Sequence, residues 1–180
     1  STTAISSPNF KAFVAELRTI FFRASMGALI FENFTYDDVR DPELDSLDVA
    51  DAGNLLRQGK YGTGINVFFV RSLSPLGTQA FAPNPGPARL AGTRQSGIVI
   101  GLDTLCYRND WSVLARITAH EIARYMGLYH NVELEVQQHP TWRDQIHDND
   151  SDAPRQNLMF FSEFGETVLT REQIRMLMRS

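Results

Sequence analysis

Apolar residues recur at helical spacing in three places along the chain. Phe10, Phe13, Val14, Leu17 and Phe21 follow Ser7-Pro8 at intervals of three and four, which predicts an amphipathic helix over about residues 9–24. Val113, Leu114, Ile117 and Ala119 set the apolar face of a second helix. Asp110 is its N-cap, the run reaches Tyr125 or Met126, and Gly127 stands where helices end in a left-handed residue. A third helix opens at Thr170-Arg-Glu-Gln173, a capping-box pattern, with Ile174, Leu177 and Met178 turned inward. A shorter helix is expected within 43–58, ending near Gly59. Continuous apolar runs at Ile65–Val70 and Gly97–Gly101 read as buried strands, and Ala28–Phe31 as a shorter one.

The stretches between these elements are polar. Asp37, Asp38, Asp41, Glu43, Asp45 and Asp48 form an acidic loop that reads as solvated surface. Residues 74–95 are rich in Pro and Gly and read as a long irregular loop, and 131–157 read as another. Residues 1–8 read as an N-terminal linker or processed end, and 9–180 as one domain without internal repeats.

Composition narrows the picture. A chain of 180 residues that is 43% hydrophobic, with 12 Phe, can bury one sizeable core. Its net charge of −4 argues against nucleic acid and anionic membrane as partners, since both need basic stripes. No run of 18 apolar residues exists, so no transmembrane segment is expected. The single cysteine, Cys106, cannot form an intrachain disulfide and reads as a packing residue rather than a nucleophile. Asn33-Phe34-Thr35 is a glycosylation sequon, of consequence only in a host that glycosylates.

The chemistry concentrates in Thr118-Ala-His120-Glu121-Ile-Ala-Arg124-Tyr-Met-Gly127-Leu-Tyr-His130. Zinc endopeptidases carry two histidines at i and i+4 on one helical face, and a Glu at i+1 acts as general base on the metal-bound water. In the longer metzincin pattern a glycine turns the backbone after the helix and a third histidine follows. His120, Glu121, Gly127 and His130 stand at those places, and position 124, where the second histidine belongs, is Arg. The segment therefore resembles the metzincin zinc-protease clan with one ligand replaced. The resemblance extends from about Gly62 to the C-terminus: Asn157-Leu-Met159-Phe-Phe161 is similar to the methionine turn beneath the metal. It implies an α+β, zincin-type fold with a twisted mixed sheet, an active-site helix, a methionine turn around Met159 and a C-terminal helix. It also implies an exported protein, secreted, periplasmic or at the cell surface.

Arg124 changes what the resemblance implies for activity. An arginine side chain stays protonated at physiological pH and has no lone pair for zinc. His120 and His130 remain as two ligands where catalytic zinc takes three from the protein. Arg124 is also three residues after Glu121, close enough to pair with it or to fill the metal pocket. The expectation is a pseudopeptidase: a metzincin-like domain with a degenerate zinc site that binds a protein or peptide. The alternative is an active zinc endopeptidase with Glu121 as general base. It would use His147 or an acid among 148–152 as replacement third ligand, or Arg124 would be an introduced change in a protein that otherwise has His. Against the His147 role stands the plainer reading of a loop histidine. Asp148-Asn-Asp-Ser-Asp152 also offers hard oxygens for calcium, without the EF-hand spacing. His139 has no partner at ligand spacing.

Overall fold

A computed structural model describes residues 6–60, 62, 64–83, 91–131, 154–160 and 165–180. Helix α1 (Pro8–Ala24) begins where Ser7 accepts the Phe10 N–H and Pro8 takes the first position, where its missing donor is harmless. Its buried stripe of Phe10, Phe13, Leu17, Ile20, Phe21 and Ala24 lies along helix α4 (Trp111–Tyr125). Phe10 and Phe13 each meet Phe69 edge-on, with ring centroids 5.5 Å apart, and so tie α1 to the sheet.

That sheet has three strands in the order β2 (Val67–Val70), β5 (Ile98–Gly101), β4 (Ala80–Phe81). Strand β2 runs parallel to β5, and β4 runs antiparallel to it. All four residues of β5 are buried. Ile98 and Ile100 face the main core with α1 and α4, while Val99 faces a second cluster with Leu47, Leu56, Val70 and Leu73. This alternation is the strand period of two, read on a strand covered on both sides. Mixed parallel and antiparallel pairing beside packed helices makes the protein α+β.

Several expected elements differ. Ala28–Phe31 forms no strand: Ser25 Oγ takes the Leu29 N–H, and Phe31 packs edge-on against Phe21, so the run's apolar character serves packing on α1. The helix expected within 43–58 shrinks to α2 (Ala52–Leu56), because β1 (Ser46–Asp48) interrupts it by pairing with β3 (Ser72–Ser74). The stretch from 74 to 95 is not wholly irregular, since β4 lies inside it. A two-residue strand is too short for alternation to announce it. Cys106, on the short helix α3 (Thr104–Arg108), is exposed rather than packed.

Helix α4 begins with Asp110 accepting the Ser112 N–H, and Gly127 follows it at φ +105°. Helix α5 (Arg171–Leu177) opens with the full capping box of Thr170 and Gln173. Ile174 and Leu177 turn inward, but Met178 lies past the last helical residue and is 61% exposed. Among the described residues no helix is long and apolar enough to cross a membrane.

Gly97 enters β5 at φ +140°, and a Cβ there would overlap the Asn66 carbonyl oxygen. Gly77, at φ +95°, has open space around it. Gly77→Ala should therefore carry only the backbone penalty, about 1 kcal/mol, whereas Gly97→Ala should destabilise by about 3 kcal/mol. Urea unfolding of the two variants checks the contrast, and equal losses would refute it.

Candidate functional site

Helix α4 is buried on nearly every side, from Leu114 to Ala123. Its polar residues must therefore find partners inside the molecule. Arg116, Ile117, His120, Glu121 and Arg124 lie on one face, at the intervals that stack residues along a helix. Together with Thr78, Gln79, Ala80, His130 and Phe160 they line a cavity of about 180 Å³.

His120 Nδ1 is 2.8 Å from the Leu158 carbonyl oxygen. A carbonyl only accepts, so Nδ1 carries the proton and Nε2 presents its lone pair. His130 Nε2 is 3.1 Å from His120 Nε2, and its N–H is the donor to that lone pair. Burial is the main cause that drives the His120 pKa down to about 3, against the opposing bond to Leu158; His130, Arg116 and Arg124 add smaller downward pushes. His120 is therefore neutral at physiological pH.

Glu121 is 8% exposed, and desolvation raises its pKa to about 6, while Arg124 and the Ala82 backbone N–H pull it down. Of the two roles open to Arg124, pairing with Glu121 or filling the pocket, the first is not taken: no ion pair within 4 Å joins it to Glu121, and both residues line the cavity. The charge of Arg124 and, to a smaller extent, the backbone N–H of Ala82, just past β4, favour the carboxylate form of Glu121. Glu121 Oε2 and Arg124 Nε are both buried and have no hydrogen-bond partner.

The turn from Asn157 to Phe160 closes the cavity floor. Met159 is fully buried in the main core, its N–H bonded to Asn157 Oδ1 and its carbonyl taken by the Asn131 N–H. Arg116, 7% exposed, donates from Nη2 to the carbonyls of Leu158 and Phe160 and from Nε to that of Glu166. A Cβ at Gly165 would overlap the Arg116 guanidinium, so glycine there makes room for it. Asn157 and Gln173 exchange amide hydrogen bonds of 3.0 and 3.3 Å, locking the turn to the start of α5.

His120, Glu121, Arg124 and His130 thus come together, with Gly127 at the helix exit and Met159 in the turn. His147, the acids among 148–152 and His139 lie outside the described residues. Two nitrogens on a tetrahedral zinc stand about 3.3 Å apart, given zinc–nitrogen bonds of about 2.0–2.1 Å, so the imidazole pair has a separation close to a metal bite. The donor set is short all the same. Among the described residues no group of three or more His, Cys, Asp or Glu side chains converges, and the third cavity residue on that face is a cation. These residues do not fit a catalytic zinc. The sequence reading missed Arg116, whose place four residues before His120 was the available signal, and the Leu158 carbonyl and Ala82 amide, which are backbone groups and leave none.

Comparison of this protein with protein-family models, with curated proteins and with solved structures finds no significant match.

The two shifted groups act on stability with opposite sign. As pH falls from 6.5 toward 3, the unfolded state protonates His120 and the folded one does not, so stability is lost. As pH falls from about 6 to 4.5, the folded state protonates Glu121 before the unfolded one does, so stability is gained. In that window the two effects offset each other. Removing the Glu121 contribution with Glu121→Gln should expose a loss of about 2 kcal/mol between pH 6.5 and 4.5, relative to the parent protein. Denaturant unfolding in the presence of chelator reads it, and parallel pH profiles would refute the assignment.

Proposed function

We propose that this protein is an exported metzincin-type domain turned from hydrolysis to binding, a pseudopeptidase that holds a protein or peptide in the cavity beside α4. The observation that carries the reading is the guanidinium of Arg124 on the same cavity wall as His120 and Glu121. A lone pair is needed there for zinc, and arginine offers a permanent positive charge instead. Unit charges ~4 Å apart at an effective dielectric of ~20 interact at about 4 kcal/mol, and a dication against a guanidinium would feel about twice that repulsion.

The site's surroundings support the metzincin part of the reading. His120 is oriented through its other nitrogen by a carbonyl of the methionine-bearing turn, which is how metal-binding histidines are commonly aimed. Strand β4 supports the binding part. Gln79 gives its carbonyl to Gly101, so antiparallel alternation turns the N–H and C=O of Ala80 away from β5. Ala80 lines the cavity, and an extended peptide can add to that edge.

The test is metal content. Protein purified without chelator, loaded with zinc and dialysed should hold less than 0.1 zinc per molecule (about a tenth of a site) by elemental analysis, whereas Arg124→His should hold about one, the stoichiometry of a three-ligand site. One zinc in the parent protein, with peptide cleavage that Glu121→Gln abolishes, would overturn the reading in favour of an active endopeptidase with a replacement ligand.

A further inference from the structure

The cavity holds two buried groups with opposite needs. Arg124 Nε is a donor without an acceptor, and Glu121 Oε2 is an acceptor without a donor. They do not satisfy each other, since neither atom has a hydrogen-bond partner. Leaving one buried polar group unpaired costs about 1–3 kcal/mol, and of the two residues Arg124 is the partly exposed one whose guanidinium can turn to a ligand in the cavity. His120 and His130 do not compete for it, since each meets the other at 3.1 Å.

We propose that the cavity binds the carboxylate of a peptide, with the guanidinium of Arg124 as its anchor. This rests on the peptide-binding reading above and names the group that is recognised. An arginine–carboxylate pair supplies parallel charge-assisted hydrogen bonds, stronger than those to a neutral carbonyl. The charges match as well: among the described residues, Arg124 is a cation in the cavity without an ion-pair partner within 4 Å. Arg116, the other cation, is tied to the carbonyls of the turn. Size limits the occupant. A cavity of about 180 Å³ is near the ~150 Å³ that accommodates a benzene ring, so it takes one residue with its carboxylate while the rest of the peptide leaves past β4.

Such a carboxylate comes from the C-terminus of a peptide or from an Asp side group, and short peptides separate the two. Acetyl-Ala-Ala with a free C-terminus, the same peptide as its amide, and acetyl-Asp-Ala amide would be titrated into the 15N-labelled, zinc-free protein. The Arg124 Nε–H resonance, assigned by its loss in Arg124→Lys, is the readout. The free acid should shift that resonance and bind about 10- to 100-fold more tightly than the amide, the difference expected for a hydrogen bond to a charged group. Arg124→Gln should erase the preference while leaving the protein's thermal unfolding cooperative. Preference for acetyl-Asp-Ala amide over the free acid would support the carboxylate and assign it to a side group. Equal binding of acid and amide would overturn the carboxylate anchor and leave the peptide-binding reading standing. Equal response to sodium acetate and the free acid would also overturn it, as a general anion site. No response to any of them would overturn it too. A protein that proves to hold zinc fails the earlier reading by a separate measurement.

Discussion

The site depends on the burial of α4 on nearly every side between Leu114 and Ala123. A helix exposed on one side can send its polar side chains to water, but this one has none to spare, because α1, β5 and β4 and the 157–160 turn cover it. Thr118 turns back to the Leu114 carbonyl of its own helix, and most of the other buried polar groups are matched from neighbouring elements. Arg116 takes the carbonyls of Leu158, Phe160 and Glu166, His120 takes Leu158 as well, and Glu121 takes the amide of Ala82. These bonds fix where the turn and the edge strand sit, and so they shape the cavity.

The turn in particular is held from two directions. From one side Arg116 and His120 bind its carbonyls, and from the other the Asn157–Gln173 amide pair joins it to the cap of α5. Gln173 Oε1 also accepts the Thr170 N–H, so the same amide group closes the capping box and grips the turn. Such a network is strong only when every member is satisfied. The exceptions are informative for that reason: Glu121 Oε2 and Arg124 Nε are buried without a hydrogen-bond partner, and both residues line the cavity.

Much of this was legible in the sequence, and the reason lies in element length. Helices α1 and α4 show their buried faces over four turns each, and the Thr170-to-Gln173 cap is a local pattern that needs no tertiary context. Strand β5 was visible because burial on both faces leaves an unbroken apolar run. Strands β1, β3 and β4 span only two or three residues, below the length at which alternation means anything. The candidate site was legible as side chains at motif spacing. Its supports were not, because Leu158 and Ala82 contribute backbone atoms, which any residue could supply.

Arg124 is the residue on which the proposed reading turns. In a zinc peptidase of the His-Glu-x-x-His kind, the metal joins the histidine lone pairs and balances the charge of the glutamate. Here a proton does the first task, since the His130 N–H donates to His120 Nε2 and both rings keep their separation. Arg124 serves the second only in part: without an ion pair to Glu121, it lowers the Glu121 pKa against the upward push of burial. What arginine cannot reproduce is the activation of water, because a guanidinium has neither an open coordination position nor Lewis acidity. On the pseudopeptidase reading proposed above, Arg124 keeps what binding needs, a strand edge and a cation beside the cavity, and lacks what hydrolysis needs.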